Sequence, residues 1–338
     1  MEDSIDKKLE IYLKGASAFF EDIRVSSRFS VSNAEDYPKN AEVVFNNKVI
    51  DYKIEPDQKL EIIHYTNLQS FCNIINSQNI RLYNCFNLND SKEIETGLNK
   101  IGFEYNKDWL EDLKRFHFVF SASEYNNDDD FNMWRLYGDN GNGVALVFEV
   151  DDNFKNWTGI HISKVSYSEA DESFQNVKNF IDFHNKFQNK HEPFISVPSI
   201  IPLLGAFQKN KIWSIENEFR IVATCEFDKY NFKTNNGFIS KNPFLKNTLN
   251  HQVNNSGKLV SYLELPITEK FLDEKFKNET DEDYVNDCKK LYPRIKLKKI
   301  VFGHNIRGTA KFESLIEYWS NVIPSKIGHE VEIQFSEF

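Results

Sequence analysis

The chain has 338 residues and a formal net charge of −10, and 40% of its residues are apolar, including 30 Phe. This length allows two domains or one large domain with appendages, and the apolar content is sufficient for a large core. The negative charge opposes general binding to polyanions, so a nucleic-acid partner would need a local basic groove. The one basic cluster, residues 294–299, alternates with apolar residues. This alternation favours the solvated face of a strand, with a phosphate site as the alternative.

The first 58 residues have a different character from the rest of the chain. Apolar residues at helical spacing predict a helix over residues 4–23, whereas residues 27–58 are polar and interrupted by two prolines. We therefore expect residues 1–58 to form a helical and irregular N-terminal appendage. The acidic start is unlike a secretory signal, and no window reaches the roughly 18 apolar residues of a membrane span. These features predict a cytoplasmic protein without a membrane partner.

Residues 59–338 are predicted to form the main domain, with a mobile excursion near residues 228–258, which are rich in Asn, Lys and Gly. Thr66 and Gln69 have the spacing of a capping box at the start of its first helix. Strands are expected at 60–65, 80–83, 116–123, 143–150, 164–167, 218–224, 259–265, 297–303 and 330–335. Helices are expected at 66–78, 128–137, 172–190, 203–211 and 309–322, and a further helix is expected to begin at residue 90. This mixed order predicts an α+β fold with split, twisted, mixed or antiparallel sheets flanked by helices.

Two common kinds of site are not indicated. No two of the eight histidines have the i, i+4 spacing of a helical zinc site, and no Cys/His cluster is present, so no protein-held metal is expected. The glycine-rich run at 138–143 follows a predicted helix and precedes a predicted strand. A dinucleotide-binding loop needs the reverse order, so this run is interpreted as a tight turn.

The most informative polar segment is the predicted strand that contains Glu216, Glu218 and Arg220. Period-two alternation places these three residues on one face and Phe219 and Ile221 on the other. Two carboxylates and a guanidinium on one face can form a salt bridge. They can also hold a cationic reacting centre, because a carboxylate stabilises developing positive charge. The residues alone leave both interpretations open.

Further polar and aromatic residues are candidates for the same site. His64 ends a predicted strand and would lie at the rim of a sheet, where ligands bind, although a structural histidine bonded to neighbouring backbone is the alternative. Ser121 and Ser123 place two hydroxyls on one strand face. Trp134 and Tyr137 stand three residues apart on a short predicted helix, a spacing typical of the core as well as of a stacking platform.

Taken in order, these elements resemble the domain-of-unknown-function family DUF2971. The match spans about residues 60–305, and Ser91 is the one departure, because the family has Pro there. The motifs that carry the resemblance are His64-Tyr65-Thr66, Asn89-Asp90-Ser91-Lys92-Glu93, Phe120-Ser121, Met133-Trp134-Arg135-Leu136-Tyr137, Gly143-Val144-Ala145-Leu146-Val147-Phe148, the segment from Trp213 to Arg220, and Ile300-Val301-Phe302-Gly303.

The sequence is more distantly similar to ADP-ribosyltransferases. Those enzymes have a His followed by an aromatic residue and Thr or Gly on an early strand, and a Glu, sometimes within Glu-x-Glu, on a late strand. His64-Tyr65-Thr66 and Glu216-x-Glu218 match that order, and Ser121-x-Ser123 resembles the Ser motif of one branch. That branch starts with Arg rather than His, so the match combines features of two branches.

The resemblance implies an ADP-ribosyltransferase-like fold and an NAD-consuming transferase or glycohydrolase, with NAD as substrate. In that arrangement NAD lies between His64 and Glu218. Glu218 would stabilise the oxocarbenium-like transition state, and Glu216 or Arg220 would orient the acceptor. The catalytic residues implied are Glu218, His64, Glu216 and Arg220, and the cofactor-binding residues are His64, Tyr65, Thr66, Tyr83, Ser121, Trp134 and Tyr137.

Other functions remain open at this stage. The acceptor could be a protein, a nucleic acid or water. The alternative to an enzyme is a non-catalytic module that senses a nucleotide or a nucleic-acid end. A role as a toxin or anti-phage defence effector, with an operon-encoded protein partner, is expected only from the other proteins in which such folds occur.

Overall fold

The computed structural model describes residues 5–20, 23–25, 41–44, 59–88, 92–152, 154, 157, 159–168, 171–191, 195–197, 200–227, 238–240, 249–254, 257–268, 270–290, 292–306 and 310–338. The α-helices are α1 Ile5–Ala16, α2 Leu68–Ser77, α3 Glu93–Lys100, α4 Lys107–Phe116, α5 Phe131–Leu136, α6 Glu172–His191, α7 Ile200–Leu203, α8 Lys270–Phe276, α9 Glu282–Lys290 and α10 Ala310–Ile327. The strands are β1 Arg24–Val25, β2 Ala41–Val44, β3 Leu60–Thr66, β4 Asn79–Asn84, β5 His117–Glu124, β6 Val144–Val150, β7 Ile160–Lys164, β8 Ile195–Ser196, β9 Glu218–Phe227, β10 Phe238–Ser240, β11 Leu249–Val253, β12 Leu259–Pro266, β13 Ile295–Phe302 and β14 Glu332–Phe335.

The chain divides into two compact units. The first comprises Met1–Tyr52, Asp90–Leu110 and Ser166–Lys211, and the second comprises Lys53–Asn89, Glu111–Val165 and Ile212–Phe338. Both units are therefore assembled from segments that are distant in sequence. The boundary at residue 58 predicted from composition stays a prediction. Of the predicted excursion, residues 228–237, 241–248 and 255–256 lie outside the described residues.

The first unit contains a helix pair built from aromatic side chains. Helices α1 and α6 pack through Tyr12, Phe183 and Phe187, whose ring centroids lie 5.2 to 6.1 Å apart. A small sheet of β1, β2 and β8 belongs to the same unit, with β2 and β8 parallel. At Gly97 of α3, an added Cβ would lie 2.1 Å from the carbonyl oxygen of Gly205, so this close backbone approach requires glycine.

The second unit is organised around one eleven-stranded sheet. Its main path runs β11-β12-β4-β5-β3-β6-β13-β14, and β9 pairs with β5, β7 and β10. Neighbouring strands are antiparallel except β13 and β14, which are parallel. The α+β fold with a mixed, helix-flanked sheet is therefore confirmed, whereas the ADP-ribosyltransferase-like topology stays a prediction.

The sheet is split beside β5. One edge of β5 pairs with β9 along residues 117–123. The opposite edge pairs with β4 at Phe118 and Val119, and with β3 only at Ser123 and Glu124. Strands β3 and β4 therefore diverge beside residues 120–122, within one continuous sheet.

Alternation along the paired strands gives the sheet two faces of different character. The first face carries the main hydrophobic core, in which the strand residues Ile62, Phe120, Leu146 and Ile221 pack with α2 and α10. The second face carries a smaller apolar cluster that includes Ile63, Tyr65 and Val147. Helix α5 packs on this cluster through Met133 and Trp134. The candidate site residues must therefore be assigned to one face or the other.

Candidate functional site

Strands β5 and β9 bring four of the candidate polar residues together. Ser121 lies opposite Arg220, and Ser123 lies opposite Glu218 in the antiparallel register. Ser123 also pairs with Ile63, a member of the apolar cluster on the second face. The four polar side chains therefore share the second face, as period-two alternation predicted for Glu218 and Arg220.

Glu218 and Arg220 form a buried, bidentate ion pair. Arg220 Nε donates to Glu218 Oε1 at 2.7 Å, and Nη2 donates to Oε2 at 3.0 Å. Their side chains are only 4% and 1% exposed. A charge this deeply buried is tolerated when a partner of opposite charge is held in good geometry, and the planar guanidinium fork matches both carboxylate oxygens. The salt bridge that the sequence left open is therefore present.

Glu216 lies two residues before Glu218 in the chain but not on the strand. It ends the 3₁₀ helix Lys211–Glu216, and β9 begins at Glu218. The prediction that Glu216 shares the strand face through period two is wrong, because Asn217 between them adopts a left-handed conformation with φ of 40°. Asn217 is held there by Glu124, which accepts from its side-chain amide at 2.7 Å and donates its backbone N–H to the Asn217 carbonyl.

Tyr137 reaches Glu216 from the end of helix α5. Its hydroxyl donates to Glu216 Oε1 at 2.5 Å, and Glu216 is buried. Tyr137 also packs against the apolar cluster of the second face. The resulting dyad joins a phenol, which can donate or transfer a proton, to a buried carboxylate, which can accept one.

Tyr65 and Trp134, two predicted cofactor-binding residues, hold α5 in place. The Tyr65 hydroxyl accepts from the backbone N–H of Asp130 at 2.8 Å, and Trp134 Nε1 donates to Asp129 Oδ2 at 2.6 Å. Their rings meet edge to face at 5.1 Å, and both are buried. Burial raises the pKa of the Tyr65 hydroxyl, so it remains protonated. These contacts give both residues a positioning role for Tyr137.

His64 and Thr66 lie on the other face. His64 pairs with Leu146 and Thr66 with Val144, both members of the main core. The His64 ring lies 4.7 Å from the ring of Phe120 in the same core. The structure therefore does not bring the side chains of His64 and Thr66 to the face that carries Glu218, although these residues are close in the sheet.

The contact of His64 explains its position. Its Nδ1 donates to the backbone carbonyl of Ser121 at 2.9 Å, at the point where β3 and β4 diverge beside β5. Desolvation lowers the pKa of the imidazole, and the hydrogen bond to Ser121 opposes this shift without cancelling it. Neither β3 nor β4 pairs with β5 at Ser121, and the neutral His64 imidazole is the hydrogen-bond partner of the Ser121 carbonyl instead.

Accessibility separates the residues of the second face into two groups. Glu216, Glu218 and Ser123 are buried, each less than 7% exposed. Ser121 and Tyr137 are partly exposed, and so is the predicted cofactor-binding residue Tyr83 on β4. Tyr83 shares the face because it pairs with Val119, two residues before Ser121. A ligand on this face would meet Tyr83, Ser121 and Tyr137 before it met the carboxylates.

The glycine-rich run and the basic cluster have structural explanations. Gly143 donates to the Gly138 carbonyl at 2.9 Å, which closes the predicted turn, and Gly303 in turn donates to Gly143. In the basic cluster, Lys298 pairs with Glu61, and Lys299 lies 3.4 Å from Glu332. These pairs are typical of the solvated strand face that the alternation favours.

The structure also shows contacts that sequence reasoning missed. Asn217 and Glu124 organise the junction before β9, and Lys164 donates to the same carboxylate oxygen at 2.7 Å. Burial would raise the pKa of Glu124, but the hydrogen bonds from Lys164 and Asn217 lower it further than burial raises it. Only the Asn at position 217, a residue type that tolerates left-handed backbone, gave a signal in the sequence.

No group of three His, Cys, Asp or Glu side chains in the described ranges is arranged as a metal site. Among the helices that the structure describes, none has both the length and the apolar character needed to cross a bilayer.

Comparison with known proteins supports part of the resemblance and names no activity. A family model described as "Protein of unknown function (DUF2971)" matches residues 133–221, which confirms the predicted resemblance over that span. The span begins in α5, contains Tyr137 and Glu216, and ends just after Arg220. None of the curated proteins compared matches the chain, and no solved structure matches it. The similarity to ADP-ribosyltransferases stays a prediction.

Proposed function

We propose that this protein is an NAD-consuming enzyme of the ADP-ribosyltransferase type, with its reacting centre on the second face of the large sheet. The observation that carries the proposal is the placement of the Tyr137–Glu216 dyad and the Glu218–Arg220 pair on the face that also carries Ser121 and Ser123. Two carboxylates beside partly exposed hydroxyl groups suit a reaction in which positive charge develops on a sugar.

In this proposal, the bond between nicotinamide and the ribose C1′ breaks, and nicotinamide leaves with the bonding electrons. The ribose carbon becomes cationic, and the carboxylate of Glu218, held in one orientation by Arg220, stabilises that charge. An acceptor then attacks C1′, and its proton passes to Glu216, whose Oε1 accepts from the hydroxyl of Tyr137. The acceptor is a protein side chain, a nucleic acid or water.

The role predicted for His64 changes in this account. Its side chain lies on the first face and is bonded to the Ser121 carbonyl, so it positions β5 instead of contacting NAD. Ser121 and Tyr83, which are partly exposed on the second face, take the place of His64 and Thr66 as ligand contacts.

One observation favours a second function, that of a nucleotide-sensing module without turnover. Arg220 occupies both oxygens of Glu218, and this pairing reduces the negative charge that the carboxylate can offer to a cation. In a sensor the pair would only stabilise the sheet. A role in toxin action or anti-phage defence, with an operon-encoded partner, would suit either function.

The two functions are separated by measuring nicotinamide released from NAD by the full chain, with and without cell lysate, together with NAD binding by calorimetry. For the enzyme, Glu218→Gln and Glu216→Gln each lower release by at least about 100-fold while NAD still binds. For the sensor, the wild-type chain binds NAD without releasing nicotinamide. Absence of both binding and release would contradict both functions. Dependence of release on lysate would indicate a macromolecular acceptor.

A further inference from the structure

A cluster of aromatic and charged side chains lies on strands β4, β12 and β11. We call it the Arg81 cluster; its members are Arg81, Tyr83, Gln252, Tyr262 and Glu264. The Arg81 guanidinium carbon lies 4.4 Å from the centroid of the Tyr262 ring, and the rings of Tyr262 and Tyr83 are 5.8 Å apart. Arg81 Nη1 donates to Gln252 Oε1 at 2.7 Å, and Gln252 Nε2 donates to the Tyr83 hydroxyl at 3.2 Å.

The cluster faces the same side of the sheet as the candidate reacting centre. Tyr83 pairs with Val119, and Val119 pairs with Val222, which is two residues beyond Arg220 on β9. Alternation therefore places Tyr83 and Arg81 on the second face. Ser121 is one strand away from Tyr83 and two residues along, so their Cα atoms are roughly 8 Å apart. The cluster and Ser121 can thus contact one small molecule.

The cluster has hydrogen-bonding capacity that its described neighbours do not use. Arg81 Nη2 donates to none of the described residues, and neither does the hydroxyl proton of Tyr83. The Arg81 side chain is 26% exposed, so solvent reaches part of it. A guanidinium that stacks on an aromatic ring and still has a terminal nitrogen able to donate can bind an anion that is attached to an aromatic group.

We propose that the Arg81 cluster is a nucleotide subsite, in which Arg81 binds a phosphate and the partly exposed ring of Tyr83 stacks on the base. The inference rests on the proposed function for one point, the assignment of this nucleotide as the adenylate half of NAD. The other half then extends past Ser121 toward Tyr137 and Glu216.

Glu264 is expected to limit the affinity of the subsite for anions, and this effect can be tested. Its carboxylate lies 3.9 Å from Arg81 Nε and partly compensates the guanidinium, so it opposes a second anion. Removal of this charge strengthens phosphate binding, whereas loss of Arg81 weakens it. A cluster that serves only to pair neighbouring strands would show neither effect on ligand affinity.

The test is calorimetric titration of the full chain with AMP, inorganic phosphate and adenosine, which requires no turnover. AMP is expected to bind more tightly than phosphate or adenosine. Arg81→Ala weakens AMP binding by about tenfold and Glu264→Gln strengthens it by about threefold. Arg81→Lys keeps the positive charge but loses the planar guanidinium that stacks on Tyr262, so an AMP affinity between those of wild type and Arg81→Ala is expected. This variant also tests the subsite if Arg81→Ala does not fold. Arg115→Ala removes a cation paired with Asp112 elsewhere in the same unit and leaves AMP affinity unchanged.

The inference is overturned if AMP does not bind, if phosphate binds as tightly as AMP, or if the Arg81 and Glu264 variants bind AMP like wild type. Failure of the proposed function is a separate result. AMP binding that depends on Arg81, in a chain that releases no nicotinamide from NAD, would retain the subsite and exclude the NAD-consuming reaction.

Discussion

Arg220 is the residue that holds the buried Glu218 carboxylate in an ion pair. Its guanidinium is 1% exposed and is held by both oxygens of Glu218. We predict that Arg220→Met lowers the free energy of unfolding by about 3–5 kcal/mol, because it leaves the Glu218 carboxylate buried beside an apolar side chain. Urea denaturation of the full chain measures this difference.

Arg115→Met is the matched control, because Arg115 pairs with Asp112 at 3.7 Å while half exposed. A change below about 1 kcal/mol is expected there. If Arg220→Met lowers the free energy of unfolding as little as Arg115→Met does, the buried Glu218–Arg220 pair does not stabilise the fold in the way proposed.

His184 in the first unit predicts how stability depends on pH. Its Nδ1 lies 3.0 Å from the Tyr12 hydroxyl, and burial lowers its pKa from 6.5 to about 4. The unfolded chain binds the proton more tightly, so this contribution is complete above about pH 6.5 and is lost as pH falls toward 4. We predict a decline of up to about 3 kcal/mol across this window, measured by chemical denaturation.

His184→Gln should flatten that decline, whereas His251→Gln, at an exposed position beside Ser261, should leave it in place. His64 contributes with the same sign, because its pKa is also lowered. If stability increases as the pH falls from 6.5 to 4, the assignment of the His184 and His64 imidazoles as neutral is contradicted.

Among the secondary-structure elements, α2 shows how the sheet decides where a helix begins. Thr66 was the predicted cap, but it is the last residue of β3 and pairs with Val144. Asn67 caps α2 instead, and its side chain accepts from the backbone N–H of Ser70 at 2.8 Å. We predict that Asn67→Ala costs about 1 kcal/mol and that Gln69→Ala costs clearly less. Thermal unfolding distinguishes the two, and equal costs would favour the capping box.

Helix α5 depends on the Tyr65 hydroxyl in a way that can be measured directly. Tyr65→Phe removes the acceptor of the Asp130 N–H and keeps the ring that packs on Trp134. We predict faster amide hydrogen exchange at residues 130–137 and weaker nicotinamide release, because Tyr137 is carried by this helix. Tyr83→Phe, which lies outside α5, should leave that exchange unchanged. Unchanged exchange in Tyr65→Phe would remove the positioning role.

Several of these features could be read from the sequence, and others could not. Alternation correctly placed Glu218 and Arg220 on one strand face, because side-chain direction along a strand is a local property. It failed at Glu216, where one left-handed residue, Asn217, interrupts the strand. The position of His64 depends on the pairing of β3 with β6 and on the split beside β5, and neither is encoded locally.

Across the molecule, the two faces of the large sheet have different roles. The first face buries the main core, and the second collects the polar residues from strands that are far apart in sequence. The family match at residues 133–221 includes Tyr137, Glu216 and Glu218, whereas Ser121 and Tyr83 come from outside it. The proposed site therefore combines the matched segment with strands that precede it.

Nicotinamide release per folded molecule, compared between Glu218→Gln and His64→Phe, shows whether the reacting centre lies on the second face. Glu218→Gln is expected to lose stability, because the buried Arg220 guanidinium loses its charged partner, and its folded fraction is expected to lose release by at least about 100-fold. His64→Phe is also expected to be less stable, because the Ser121 carbonyl loses its partner, yet to retain most of its release when only folded protein is counted. Loss of release in folded His64→Phe, with release retained in Glu218→Gln, would contradict the assignment of the reacting centre to the second face.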